Sequence, residues 1–144
     1  MSRRAVTRVQ PRRDEAGAAA LEFALVLPIL LMIIFAIITY GYMFSVRQAL
    51  TQAAAEGARA AAVASTGQAS TRATAAVNEA LEGLEMTCGT GGLTCTPTTS
   101  TCGTASCMSV TVAFAYRANN PIPSLLPDAL IPASLTFTSS AEVN

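Results

Sequence analysis

From Phe23 to Tyr42 this chain of 144 residues carries no charged side chain, and a single acid, Glu22, stands at the start of the run. No other feature restricts the fold so strongly. A helix of about 20 apolar residues crosses the hydrocarbon core of a bilayer, and residues 18–42 supply one, polar only at Glu22, Thr39, Tyr40 and Tyr42. The two tyrosines fall where an aromatic belt marks the outer interface. Pro28 removes a backbone hydrogen bond inside the helix and tends to kink it, which membrane helices tolerate. A secretory signal peptide competes with this reading, but its apolar core is about 7–15 residues long with a small-residue cleavage site after it. The run here is longer, and Thr39-Tyr40-Gly41 is a poor site. A retained single-pass anchor over residues 18–42 is expected.

The charges fall unevenly around that helix. Arg3, Arg4, Arg8, Arg12 and Arg13 precede Gly17, whereas four arginines and seven acids follow it. The basic end reads as a positive-inside signal that keeps the N-terminus in the cytoplasm, with residues 1–17 a polar leader lacking hydrophobic periodicity. Asp14 and Glu15 at its end suit a helix N-terminus. Nothing basic accumulates beyond the leader, so no nucleic-acid partner is expected. The chain has no His, Lys or Trp, which removes most routes to acid–base or metal chemistry. No enzyme activity, cofactor, metal or small-molecule substrate is expected.

Beyond the span, residues 43–64 are Ala-rich and proline-free, as a helix requires. Val46, Ala49, Leu50, Ala53, Gly57, Ala60, Ala61 and Ala64 form a small apolar stripe, with Ser45, Gln48, Gln52, Glu56 and Arg59 opposite. Such a stripe suits close packing on a neighbouring helix or on the chain's own domain, and both stand open. Ser65-Thr66-Gly67 breaks the helix. A second amphipathic helix follows over residues 71–84, with Ser70 as its N-cap. Residues 86–107 then read as a Thr-, Gly- and Cys-rich loop. The cysteines Cys88, Cys95, Cys102 and Cys107 all lie in it. An even count in so short a segment fits disulfides in an oxidising compartment, and the spacing lacks the close Cys pair of a zinc knuckle. Four cysteines allow three pairings, which the sequence leaves open. Strands are expected at residues 108–117, where Met108, Val110, Val112, Phe114 and Tyr116 alternate with small or polar residues, and at 134–143. The proline-rich connection between them carries Leu125, Leu126, Leu130 and Ile131, which should pack on the sheet or a partner. The fold class is therefore α+β: a long N-terminal transmembrane and extended helix, a second helix, and a small antiparallel hairpin at the C-terminus.

Gly17-Ala18-Ala19-Ala20-Leu21-Glu22-Phe23-Ala24-Leu25-Val26-Leu27-Pro28 resembles the N-terminus of TadE-like proteins, pseudopilins of the Tad (tight adherence, Flp-type) pilus system. Ala53-Ala54-Ala55-Glu56-Gly57-Ala58-Arg59-Ala60-Ala61 resembles that family's Ala-rich segment. A looser likeness extends to Val110-Thr111-Val112 and to Leu135 through Ala141. The resemblance implies cleavage by a prepilin peptidase after Gly17, leaving Ala18 as the new N-terminus. It implies that Glu22 meets the α-amino group of a neighbouring pilin during assembly. Phe23 stands where the major pilin often has Tyr, which points to a minor subunit. The implied partners are the cytoplasmic (inner) membrane, the prepilin peptidase, other Tad pilins and the assembly machinery. The domain over residues 43–144 would be extracytoplasmic, and the setting adhesion and surface colonisation. Against this stands an uncleaved single-pass anchor carrying a small disulfide-bonded binding module in the envelope. The state of Gly17 distinguishes them.

Overall fold

In the computed structural model, which describes residues 13–65, 67–122 and 127–143, a single helix, α1, extends from Arg13 to Ala62. It starts inside the stretch read as the leader, because Ala16 and the alanines at 18–20 are strong helix formers and carry the helix back toward Arg13. The rest of the leader, residues 1–12, lies outside the described residues. Pro28 lies within α1; without an N–H it cannot donate to the Ala24 carbonyl. The stretch up to Ile37 and the part from Ile38 onward are two separate units.

In the first unit the side chains of α1 are exposed almost throughout, among them Leu21, Phe23, Leu25, Ile29 and Met32. This apolar helix is long enough to cross a membrane.

In the second unit α1 becomes the spine of a core. Met43, Val46, Leu50, Ala53, Ala54, Ala58 and Ala61 are buried at the three- and four-residue spacing that places them on one helix face. The small-residue stripe read from the sequence thus packs within its own domain. Helix α2, Ala69–Leu81, buries Ala73, Val77 and Leu81. It begins two residues before the expected start: Gln68, not Ser70, is the N-cap, and it makes no side-chain cap bond. A 3₁₀ turn, Glu82–Leu84, closes it, followed by Glu85 in the left-handed region at φ 55°.

Three antiparallel strands follow, in the order β1-β2-β3: β1 Leu93–Cys102, β2 Ala105–Phe114 and β3 Leu135–Val143. The expected loop over residues 86–107 therefore holds all of β1 and the first residues of β2. Threonine is β-branched and favours strands; here it alternates with Leu93, Cys95 and Pro97, whose small or unusual members hide the period of two. Pro97 is tolerated because β1 is an edge strand. β2 ends at Phe114, short of the expected residue 117, because Tyr116 opens a single helical turn, α3, Tyr116–Asn119.

The register places Leu93 opposite Phe114 and Cys95 opposite Val112, and Phe114 opposite Leu135. One sheet face thus presents Leu93, Met108, Val110, Val112, Phe114 and Leu135, all buried, to the core. Fully burying a side chain such as Leu93 or Val112 contributes roughly 1.5–3 kcal/mol. The other face carries threonine and serine, with the hydroxyls of Ser109 and Ser140 2.7 Å apart and those of Thr111 and Thr138 2.9 Å apart. Ile131 in the proline-rich connection is buried and Leu130 is exposed; Leu125 and Leu126 lie outside the described residues.

Candidate functional site

Gly17, Ala18, Glu22 and Phe23 are all exposed on α1, and a Cβ on Gly17 would meet nothing within 4 Å. Ala18 and Glu22 are four residues apart on one helix, so they share a face about 6 Å apart along the axis. Leu21, Phe23, Leu25 and Val26 surround them with exposed apolar surface. Chemically this is a single carboxylate in a field of hydrocarbon.

Thr39 and Met43 are buried, and the Tyr40 hydroxyl donates to the Leu130 carbonyl at 3.1 Å, across 90 residues of sequence. The Tyr42 ring lies 6.4 Å from Tyr116, which meets Phe114 edge-on at 6.1 Å. From Thr39 onward one face of the helix is covered by protein, and both belt tyrosines pack against their own domain. From Ala18 to Ile38 every side chain except Leu27 and Ala36 is exposed, about 30 Å of helix at 1.5 Å per residue, which is comparable to the roughly 30 Å hydrocarbon core of a bilayer.

Tyr116 is fully buried, and its hydroxyl has no hydrogen-bond partner among the described residues. Burial, with a smaller push from Tyr42, raises its pKa above the ordinary tyrosine value, because the phenolate would lose its hydration.

The Ala-rich segment is a packing device. Gly57 passes close to α2, Ala53, Ala54 and Ala58 are buried, and Glu56 and Arg59 form an exposed ion pair at 3.2 Å.

The cysteines form two disulfides, Cys88–Cys95 and Cys102–Cys107. The first ties the α2–β1 connection to the sheet, where the Cys88 N–H also donates to Asn78 Oδ1 at 2.8 Å. The second closes the β1–β2 hairpin, whose two-residue link begins with Gly103 at φ 69°, the residue and φ sign that a type II′ turn requires at that position. Among the described residues no group of three His, Cys, Asp or Glu gathers as a metal would require.

One cluster escaped sequence reasoning. The Arg47 guanidinium lies 5.8 Å from the Phe44 ring and 5.9 Å from the Phe137 ring. The i, i+3 pairing of Phe44 and Arg47 is legible in the sequence, but Phe137 reaches them only through the fold.

Residues 17–59 match the family model described as TadE-like protein. The matched stretch begins at the Gly17 motif, ends within the Ala-rich motif, and lies wholly on α1. The looser likeness at Val110 and Leu135 falls outside it, as do α2, the sheet and both disulfides. No curated protein and no solved structure matches the chain. The TadE-like segment and the apolar helix that carries it fit a membrane protein related to the Tad pilus.

Proposed function

We propose that this chain is a minor pilin-like subunit of the Tad (Flp-type) pilus, cleaved by a prepilin peptidase after Gly17 and required for pilus assembly in surface adhesion. The observation that carries the reading is the TadE-like match starting at Gly17, with Glu22 four residues beyond the new N-terminus at the head of an exposed apolar helix. A carboxylate at the centre of a membrane helix costs about 2.5–3.5 kcal/mol on insertion scales. Near the boundary the cost is smaller, and a neighbouring subunit's α-ammonium would offset it. That ammonium exists only after the leader is removed, so processing would gate assembly. The role is structural, and catalysis has no part in it.

In this reading the N-terminus faces the cytoplasm, α1 crosses the inner membrane once, and residues from 39 onward stand outside, where an oxidising environment maintains the disulfides. The partners are the prepilin peptidase, other Tad pilins and the assembly platform.

The test is the N-terminus of the protein purified from membranes of its own host, by intact mass and sequencing. A chain beginning at Ala18 supports the proposal. A chain retaining the residues before Gly17 replaces it with the uncleaved anchor, in which the disulfide-bonded domain serves as an envelope binding module.

A further inference from the structure

We propose that the open edge of β3 takes up an extended strand of another protein by backbone pairing, with that strand's side chains seated on α1 and one of its acidic residues on Arg47. All the contacts that carry this lie within the unit from Ile38 onward.

The sheet ends in two edges, and they are not alike. β1 carries Pro97 near its centre, which withholds a backbone donor from any further strand. β3 pairs with β2 along its whole length and, among the described residues, with no strand on its other side. Its nine residues contain no Pro, Gly or Lys, and its one charge is Glu142 near the end. It therefore lacks the devices that ordinarily keep an exposed edge from pairing. An open edge of this length offers main-chain donors and acceptors to a further strand, a recurring way in which sheets bind extended peptides.

The core-facing side of β3 is also left unfinished. On β2, Met108, Val110 and Val112 are buried. Their register partners on β3, Ala141, Ser139 and Phe137, are half-buried. Beside Phe137 a groove opens between β3 and α1, lined on the helix by Phe44, Gln48, Thr51 and Ala55, whose spacing puts them on one face. Phe44 is 53% exposed there. A strand laid against β3 would direct every second side chain toward this groove. Arg47 stands in its wall, with the guanidinium close to the Phe44 and Phe137 rings, and it pairs with no acid among the described residues. Arginine's planar fork of donors matches a carboxylate. Arg47 is the one charged residue lining the groove, so an acidic side chain on the incoming strand is its complement.

The probe is the peptide Glu-Thr-Val-Thr-Val-Thr-Val-Thr-Glu, capped at both ends and carrying a fluorophore at one. Its two acids let either strand direction bring one to Arg47. Binding to the full chain in detergent is followed by fluorescence anisotropy, and the amides covered are located by hydrogen exchange. Binding is expected, with exchange slowed across β3 and unchanged across β1. A peptide with Lys in place of both acids should bind several-fold more weakly, and Arg47→Glu, at an exposed position, should reverse that order. N-methylation of two adjacent central amides should abolish binding, because it removes donors from both edges of the peptide. Absence of binding, binding that survives N-methylation, or equal affinity for the acidic and basic peptides would overturn the proposal. Protection of β3 that rises with protein concentration and needs no peptide would assign the edge to a second copy of this chain, and would overturn it equally.

Discussion

Gly57 of α1 and Val77 of α2 meet so closely that a Cβ added to Gly57 would lie 2.8 Å from Val77 Cγ2 and 3.2 Å from the Ala73 carbonyl oxygen. An alanine inside a helix is ordinarily favoured over glycine by about 1 kcal/mol. Here the neighbours are a β-branched side chain with one preferred helical rotamer and a backbone oxygen, neither able to yield cheaply. Overpacking costs typically 1–3 kcal/mol, so the clash outweighs the propensity. Gly57→Ala should lower the thermal midpoint of the full chain in detergent by a few degrees, and Gly57→Leu by considerably more. A Gly57→Ala protein at least as stable as the parent would show that α1 and α2 separate without penalty.

Tyr116→Phe should leave the protein as stable or about 1 kcal/mol more stable, because a buried polar group without a partner costs roughly 1–3 kcal/mol and its removal keeps the ring packing. The same residue predicts a pH dependence. Its folded pKa lies above its unfolded value, so its contribution is fully present below about pH 10 and is lost as pH rises toward the folded pKa. Denaturant titrations at pH 8 and pH 11 should show a smaller alkaline loss in Tyr116→Phe than in the parent. Destabilisation by Tyr116→Phe at neutral pH would mean that the hydroxyl is bonded.

The disulfides should not be equivalent. Each closes a loop short enough that its removal costs about 2 kcal/mol by chain entropy. Cys88 and Cys95 also pack against the core, whereas the Cys102–Cys107 bridge spans a hairpin already closed by its turn and ladder. Replacing Cys88 and Cys95 by Ser should lower the thermal midpoint more than replacing Cys102 and Cys107. Equal losses would leave chain entropy as the whole account.

Glu22→Ala should be processed at Gly17 as efficiently as the parent and yet fail to support pili, scored by mass spectrometry of the N-terminus and by pilus counts on cells. Glu22→Asp, which keeps the charge on a shorter arm, should restore part of the count. Normal pilus numbers in Glu22→Ala cells would remove the carboxylate from assembly.

Much of this protein is local in origin and could be read without a fold. The uncharged run after Glu22 defines a membrane-length helix, and the spacing of Val46, Leu50, Ala53, Gly57 and Ala61 defines the face that packs. The alternation from Met108 to Phe114 defines the buried side of the central strand. The two motifs that carry the TadE-like resemblance lie on one continuous helix, and the matched residues 17–59 contain both motifs almost entirely. Period and composition are properties of neighbouring residues, so the sequence states them directly.

The tertiary structure decided what depends on residues distant in sequence. Thr39 is buried, and the Leu130 carbonyl, 90 residues away in sequence, accepts from the Tyr40 hydroxyl. Strand β1 forms from a segment of Thr, Cys and Pro because β2 offers it a ladder, which its own weak alternation did not reveal. Cysteine pairing follows from register: Cys95 lies opposite Val112 and Cys107 opposite Ser100, which puts Cys95 and Cys107 on opposite faces of the sheet. Cys102 shares a face with Cys107 across the hairpin, and Cys95 is left for Cys88. No sequence period encodes which face a cysteine takes once two strands are paired, because that choice is made by the partner strand.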